Sequence, residues 1–146
     1  MTDRTQGSIE IEAVPARVMA VIADYGAYPE WVQGMKAVQV LETDARGRGR
    51  RAAFHVSTAG IEARYTLTYA YAPRNGGVSW TSADASGAVK EVEGEYELQR
   101  TPGGTLVSYR LRLDLAISLP GFLRRQAEKT IVTGALANLK TRVENG

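Results

Sequence analysis

The sequence predicts an α+β fold: a curved seven-stranded antiparallel sheet around a long C-terminal helix, with two short helices after the first strand. Three observations lead there. A first strand-like segment is followed at once by two short helical patterns. Six further strand-like segments then run from Met35 to Leu115 with turn residues between them and no helix. The chain closes on one amphipathic stretch from about Phe122 to Glu144.

Composition sets the broad class. The chain has 146 residues, 44% hydrophobic and 23% charged, an ordinary balance for one globular domain. It has no cysteine, one histidine and a formal net charge of +2. Disulfides and thiolate sites are therefore excluded, and a zinc site is not expected. The net charge is too small to point to nucleic acid. The opening MTDRTQG lacks the apolar segment of a secretion signal, and VMAVIA falls far short of the roughly 20 residues of a membrane span. A cytoplasmic location is the expectation. Residues 1–7 read as a flexible tail and residues 8–146 as a single domain.

Each element has its own signal. Ser8 to Val14 alternates strictly, with Ile9, Ile11 and Ala13 on one face and Glu10 and Glu12 on the other. Pro15 stops that strand and suits a first helical position, and Val18, Val21 and Ile22 give a short amphipathic helix to about Asp24. Gly26 breaks it. Pro29 is expected to open a second short helix that carries Tyr28, Trp31 and Val32 and closes at Gly34. Strands follow at Met35–Glu42, Arg50–Thr58, Ile61–Ala72, Val78–Ser82, Val89–Arg100 and Thr105–Leu115, with turns at TDARGRG, Ala59–Gly60, NGG and TPGG.

The hairpins predict registers. A two-residue loop at Asn75–Gly76 sets Tyr71 opposite Trp80. A TPGG loop sets Glu95 opposite Arg110 and Glu93 opposite Arg112 on one face, with Tyr96 beside Tyr109 and Leu98 beside Val107 on the other. One face is then a solvated ladder of opposite charges and the other is apolar, so a one-residue slip would scramble both.

The apolar face needs a cover, and the C-terminal helix offers Ile131, Val132, Ala135, Leu136, Leu139 and Val143. Thr133, Gly134, Ala135 and Ala137 keep that helix slim in its middle. A curved sheet around a slim helix encloses more volume than the helix fills, so an internal cavity is expected, lined by Tyr65, Tyr69, Tyr71, Trp80, Tyr96 and Tyr109. The alternative is that these aromatics fill the space themselves.

The strand, the helix pair carrying YGAYPEWVQGM, the run of six strands and LPGFLRRQAEKTI leading into the last helix together resemble the START-like helix-grip superfamily. More narrowly they are similar to its polyketide cyclase/dehydrase and lipid transport branch, SRPBCC in type, which includes coenzyme Q-binding proteins. The resemblance implies a hydrophobic cavity between sheet and long helix but not one function, since members bind lipids, hormones, quinones or polyketides and some are enzymes. The expected occupant is a lipid-, quinone- or polyketide-like small molecule, and no cofactor is expected. By the same resemblance Tyr28 and Trp31 join the six aromatics above as ligand-binding candidates. Phe122 is added at the joint before the last helix.

The catalytic inventory is thin. His55 falls opposite Phe54 and Val56 and so points outward beside Arg64. No nucleophile elbow, phosphate-binding glycine loop or inward carboxylate pair is present. Cyclases of the superfamily tend to place Arg inside the cavity, whereas Arg64, Arg110 and Arg112 all fall outside. Binding or transport is therefore expected ahead of two alternatives, a polyketide aromatase/cyclase or dehydratase and a protein-interaction module like the ribosome-associated toxins. Phe122, Leu123, Arg124 and Arg125, with Leu119 and the flexible Pro120–Gly121, form a candidate portal for transient membrane or protein contact.

Overall fold

The computed structural model describes residues 4–58, 61–116, 118 and 120–145. The expected Ala59–Gly60 turn and Leu119 lie outside the described residues. In chain order the elements are β1 (Thr5–Ile11), α1 (Pro15–Ile22), a 3-10 segment (Tyr25–Glu30), β2 (Met35–Thr43), β3 (Gly49–Thr58), β4 (Ile61–Tyr71), β5 (Gly77–Gly87), β6 (Val89–Thr101), β7 (Gly104–Leu115) and α2 (Gly121–Asn145). The strands form one antiparallel sheet in the order β1-β7-β6-β5-β4-β3-β2. The inner face of the sheet and α2 enclose the core.

Three boundaries near the N-terminus differ from expectation. The segment read as a loose tail is already sheet from Thr5, which pairs with Leu111, and Gly7 pairs with Tyr109. The first strand ends at Ile11 instead of Val14, where Ala13 turns back to donate to the Ile11 carbonyl at 2.8 Å. The early start follows from packing that no local pattern reveals. A Cβ on Gly7 would stand 2.8 Å from Val132 Cγ1, so the missing side chain lets α2 cross close to β1. The second short helix is a 3-10 segment that begins at Tyr25 and contains Pro29, where a helix opening at Pro29 was expected. A 3-10 segment has few internal bonds for a proline to break.

The β6–β7 register is as expected: Glu93 faces Arg112, Glu95 faces Arg110, Tyr96 faces Tyr109 and Leu98 faces Val107. Across the outer face Arg112 lies 3.6 Å from Glu93, Arg110 lies 3.5 Å from Glu95, and Arg4, just before β1, reaches both glutamates. Such partly exposed pairs contribute about 0.2–1 kcal/mol each. The arginine bond to Glu93 holds its carboxyl below the usual carboxylate range.

The β4–β5 register is not as expected. Trp80 faces Tyr69, and Tyr71 faces Val78. Asn75–Gly76 is not a two-residue loop. Pro73–Asn75 forms a 3-10 turn with Arg74 and Asn75 at φ 58° and 55°, and the hairpin closes where Ala72 donates to Gly77. The shift is two residues, so each side chain keeps its face. β5 also runs to Gly87, past the expected end at Ser82, with one register break between Thr66 and Leu67 of its partner.

β2 is a sheet edge and is irregular. Its pairing with β3 breaks between Met35 and Ala37, between Val40 and Glu42, and between Glu42 and Thr43.

The two halves of α2 are held differently. Toward the C-terminus Leu136, Leu139 and Val143 are buried, and Arg17 of α1 donates to the Val143 carbonyl at 2.9 Å. From Gly121 to Lys129 the one buried side chain is Glu128, which is 1% exposed. Its Oε2 accepts the Leu113 N–H at 2.7 Å and its Oε1 accepts the Thr5 hydroxyl at 2.7 Å. The described β1–β7 pairing ends at Thr5 and Leu111, so the carboxylate serves a strand N–H just beyond the last pair.

Candidate ligand-binding cavity

A cavity of about 140 Å³ lies between the inner face of the sheet and α2. The sheet contributes Tyr65 and Tyr69 from β4, Trp80 from β5, Tyr96 from β6 and Tyr109 from β7. Tyr28 closes it from the 3-10 segment and Trp31 from the position just after that segment, and Ile131 and Ala135 close it from α2. Alternation places the sheet aromatics together, since each occupies an inward position of its own strand.

The rings form one connected wall. Trp80 lies 6.1 Å from Tyr69, 5.4 Å from Tyr96 and 5.7 Å from Tyr109, centroid to centroid. Tyr28 packs edge-on against Trp31 at 5.1 Å and donates its hydroxyl to the Ile22 carbonyl. Tyr28 is thus a fixed spacer that sets Trp31 at the rim. Ile131, 42% exposed, marks where the cavity meets the surface.

Two expected residues stand elsewhere. Tyr71 shares the inward face but sits at the far end of β4, beyond the cavity. Its hydroxyl is shared between Tyr25, at 2.8 Å, and the Gly49 carbonyl, and Arg48 lies over its ring at 4.1 Å. Phe122 is 69% exposed and Leu123 is 43% exposed, so neither lines the cavity. Phe122 falls in the part of α2 that only Glu128 ties down, which lets its ring face outward. His55 is on the outer face opposite Arg64, as expected, but is half-buried there with Nε2 3.6 Å from Glu62.

Sequence reasoning missed part of the wall. Phe54 lines the cavity and stacks on Tyr65 at 5.5 Å, a position that alternation along β3 indicates. Tyr25, in the opening aromatic segment, is 1% exposed and stacks on the back of Tyr69 at 4.3 Å. Among the described residues no arginine lines the cavity and no cluster of His, Asp or Glu is placed to hold a metal.

The polar chemistry of the wall is phenolic. Tyr25, Tyr28 and Tyr71 hydrogen-bond within the protein. The hydroxyls of Tyr65, Tyr69, Tyr96 and Tyr109 find no such partner among the described residues. Burial pushes the Tyr65 phenol up to about 12 and those of Tyr28, Tyr69, Tyr96 and Tyr109 well above their ordinary value. They stay neutral at physiological pH, able to donate hydrogen bonds and poor as bases. A phenol whose ionisation is delayed by folding contributes stability that is full below its unfolded value of about 10 and is lost as pH rises through the folded one. The protein is therefore expected to lose stability from about pH 10 upward, with cavity tyrosines ionising together with unfolding. Absorbance at 295 nm and circular dichroism followed in one titration check this. Tyrosines that ionise smoothly near pH 10 in a folded protein would contradict it.

A curved antiparallel sheet gripping one long C-terminal helix, with an aromatic cavity between them, defines the START-like helix-grip class. The chain matches the family model for polyketide cyclase/dehydrase and lipid transport over residues 2–144 and belongs to that family. It is similar in structure to a START superfamily protein from Mycobacterium smegmatis, with TM-score 0.88, 18% identity and 98% of each chain covered. It is also similar to the Zhui aromatase/cyclase from Streptomyces sp. R1128, with TM-score 0.76 and 16% identity over 99% of this chain and 95% of that one. A STAR-related lipid transfer protein from Xanthomonas axonopodis gives TM-score 0.71 and 17% identity over 95% and 84% of the two chains. At these identities the likeness is one of fold. A search of curated protein sequences gives no match.

Proposed function

We propose that this protein binds a hydrophobic, ring-containing small molecule, lipid-, quinone- or polyketide-like, between the sheet and α2, and carries it without converting it. The observation behind this reading is the apolar cavity whose wall bears phenol hydroxyls without protein partners. These hydroxyls face the accessible space of the cavity and not packed atoms, so a ligand oxygen or an ordered water can take their hydrogen bonds. At about 140 Å³ the cavity is close to the engineered cavity of roughly 150 Å³ that takes benzene. It suits a ring, with the rest of a larger ligand leaving past Ile131 and Trp31. The neutral phenols favour holding over cyclising, because cyclisation draws on a base and the wall offers none that is ionised near pH 7.

The test is native mass spectrometry on protein purified without detergent, followed by titration with 2-naphthol. A non-covalent lipophilic adduct released by denaturation, or saturable quenching of tryptophan fluorescence by the naphthol, is expected. A bare mass together with no naphthol binding up to its solubility limit would remove the reading.

A further inference from the structure

On the solvent side of Trp31 lies a second concavity, an open groove of about 390 Å³ formed by Trp31 with Asn138, Thr141, Arg142 and Asn145 of α2. Trp31 is common to both linings, so one indole separates an apolar chamber from a polar one. The sequence of α2 explains the change. Ile131, Ala135, Asn138, Arg142 and Asn145 recur at alternating spacings of four and three and so share one flank of the helix. That flank is apolar beside the cavity and becomes polar from Asn138 onward.

We propose that this groove is a subsite for the anionic end of an amphipathic ligand whose ring occupies the cavity, the anion being a carboxylate. The proposal rests on the cavity reading above. Arg142 supplies the charge. Its Nη2 lies 3.0 Å from Glu30 in a pair whose side chains are 36% and 64% exposed. An exposed pair of this kind is weak and exchanges readily for a ligand carboxylate, which a guanidinium meets with two parallel hydrogen bonds. The amide of Asn138 and the hydroxyl of Thr141 form no hydrogen bond to a described residue and add neutral donors. The C-terminal end of a helix is not a natural place for an anion. Here Arg17 already occupies the Val143 carbonyl at 2.9 Å and brings a second guanidinium to that end.

The experiment compares 4-phenylbutyrate with 4-phenyl-1-butanol, which share a ring and a chain and differ in the charged end. Dissociation constants come from tryptophan fluorescence, at low and at physiological salt. The wild type is expected to bind the acid about tenfold more tightly than the alcohol at low salt. Arg142→Gln is expected to remove that preference while the alcohol keeps its affinity within twofold. Glu30→Gln, which frees Arg142 from its partner, is expected to widen the preference. Equal binding of both probes by the wild type, or a preference untouched by Arg142→Gln, would overturn the subsite and leave the cavity reading standing. Binding of neither probe would remove both.

Discussion

Trp80→Ala is expected to destabilise the protein by about 3–5 kcal/mol, the range for emptying a large aromatic from a packed core. Trp80 is 7% exposed and touches three tyrosine rings, so its loss opens the wall at its centre. The same variant should bind 2-naphthol poorly, because the enlarged chamber no longer presses on the ring. The cross-strand neighbour of the indole gives an independent check. Trp80 pairs across the sheet with Gly94, where a Cβ would stand 2.8 Å from the indole and 2.7 Å from the Arg110 carbonyl oxygen. Gly94→Ala is therefore expected to cost about 1–3 kcal/mol by overpacking. Combining it with Trp80→Ala should relieve only part of that cost, since the carbonyl stays. Chemical denaturation of the single and double variants decides it. A cost for Trp80→Ala under about 1 kcal/mol would mean that the indole is not part of the packed wall.

Glu128→Ala is expected to cost about 2–4 kcal/mol. It removes two hydrogen bonds to a charged acceptor and strands the Leu113 N–H in the interior. Glu128→Gln keeps one carbonyl oxygen and should recover roughly half of the loss. The effect should also be local. Because no other side chain between Gly121 and Lys129 is buried, amide exchange should rise there in the alanine variant and stay slow from Leu136 to Val143. Even acceleration along the whole helix would show that α2 is one cooperative unit and that Glu128 does not hold its first half separately.

What the sequence made legible depended on whether a residue's environment was local. The β6–β7 register could be read because glutamates on one strand and arginines on the other must share a face, and Thr101–Gly104 left one sensible turn. The β4–β5 register could not, because Asn-Gly is a strong hairpin signal and nothing nearby showed that Pro73 would start a 3-10 turn. The inward set was still right, since a two-residue error returns each side chain to its own face. Tyr71 shows the limit of that logic: alternation gives the face and says nothing of depth along the strand. The extension of β5 through Asp84–Gly87 comes from pairing with β4, and its polar, small residues carry little strand signal of their own. Glu128 carried no local sign of its burial. Carboxylates are seldom fully buried, and the backbone N–H that justifies this one belongs to a distant strand.

The register breaks along β2 bear on how copies of this protein behave toward one another. Its stretch Val38–Leu41 is apolar except for Gln39 and strand-forming, with Val40 39% and Leu41 44% exposed on an open sheet edge. A regular edge of that composition would be a template for a strand from another chain. Here Lys36 and Leu41 have no opposite residue on β3, so the row of free N–H and C=O groups is kinked out of line at both ends, and Lys36 and Glu42 flank the stretch with charge. The edge that carries Met35 to the cavity is thereby a poor template for strand addition, and the sheet can end in an open strand there without offering a regular row of partners to another chain.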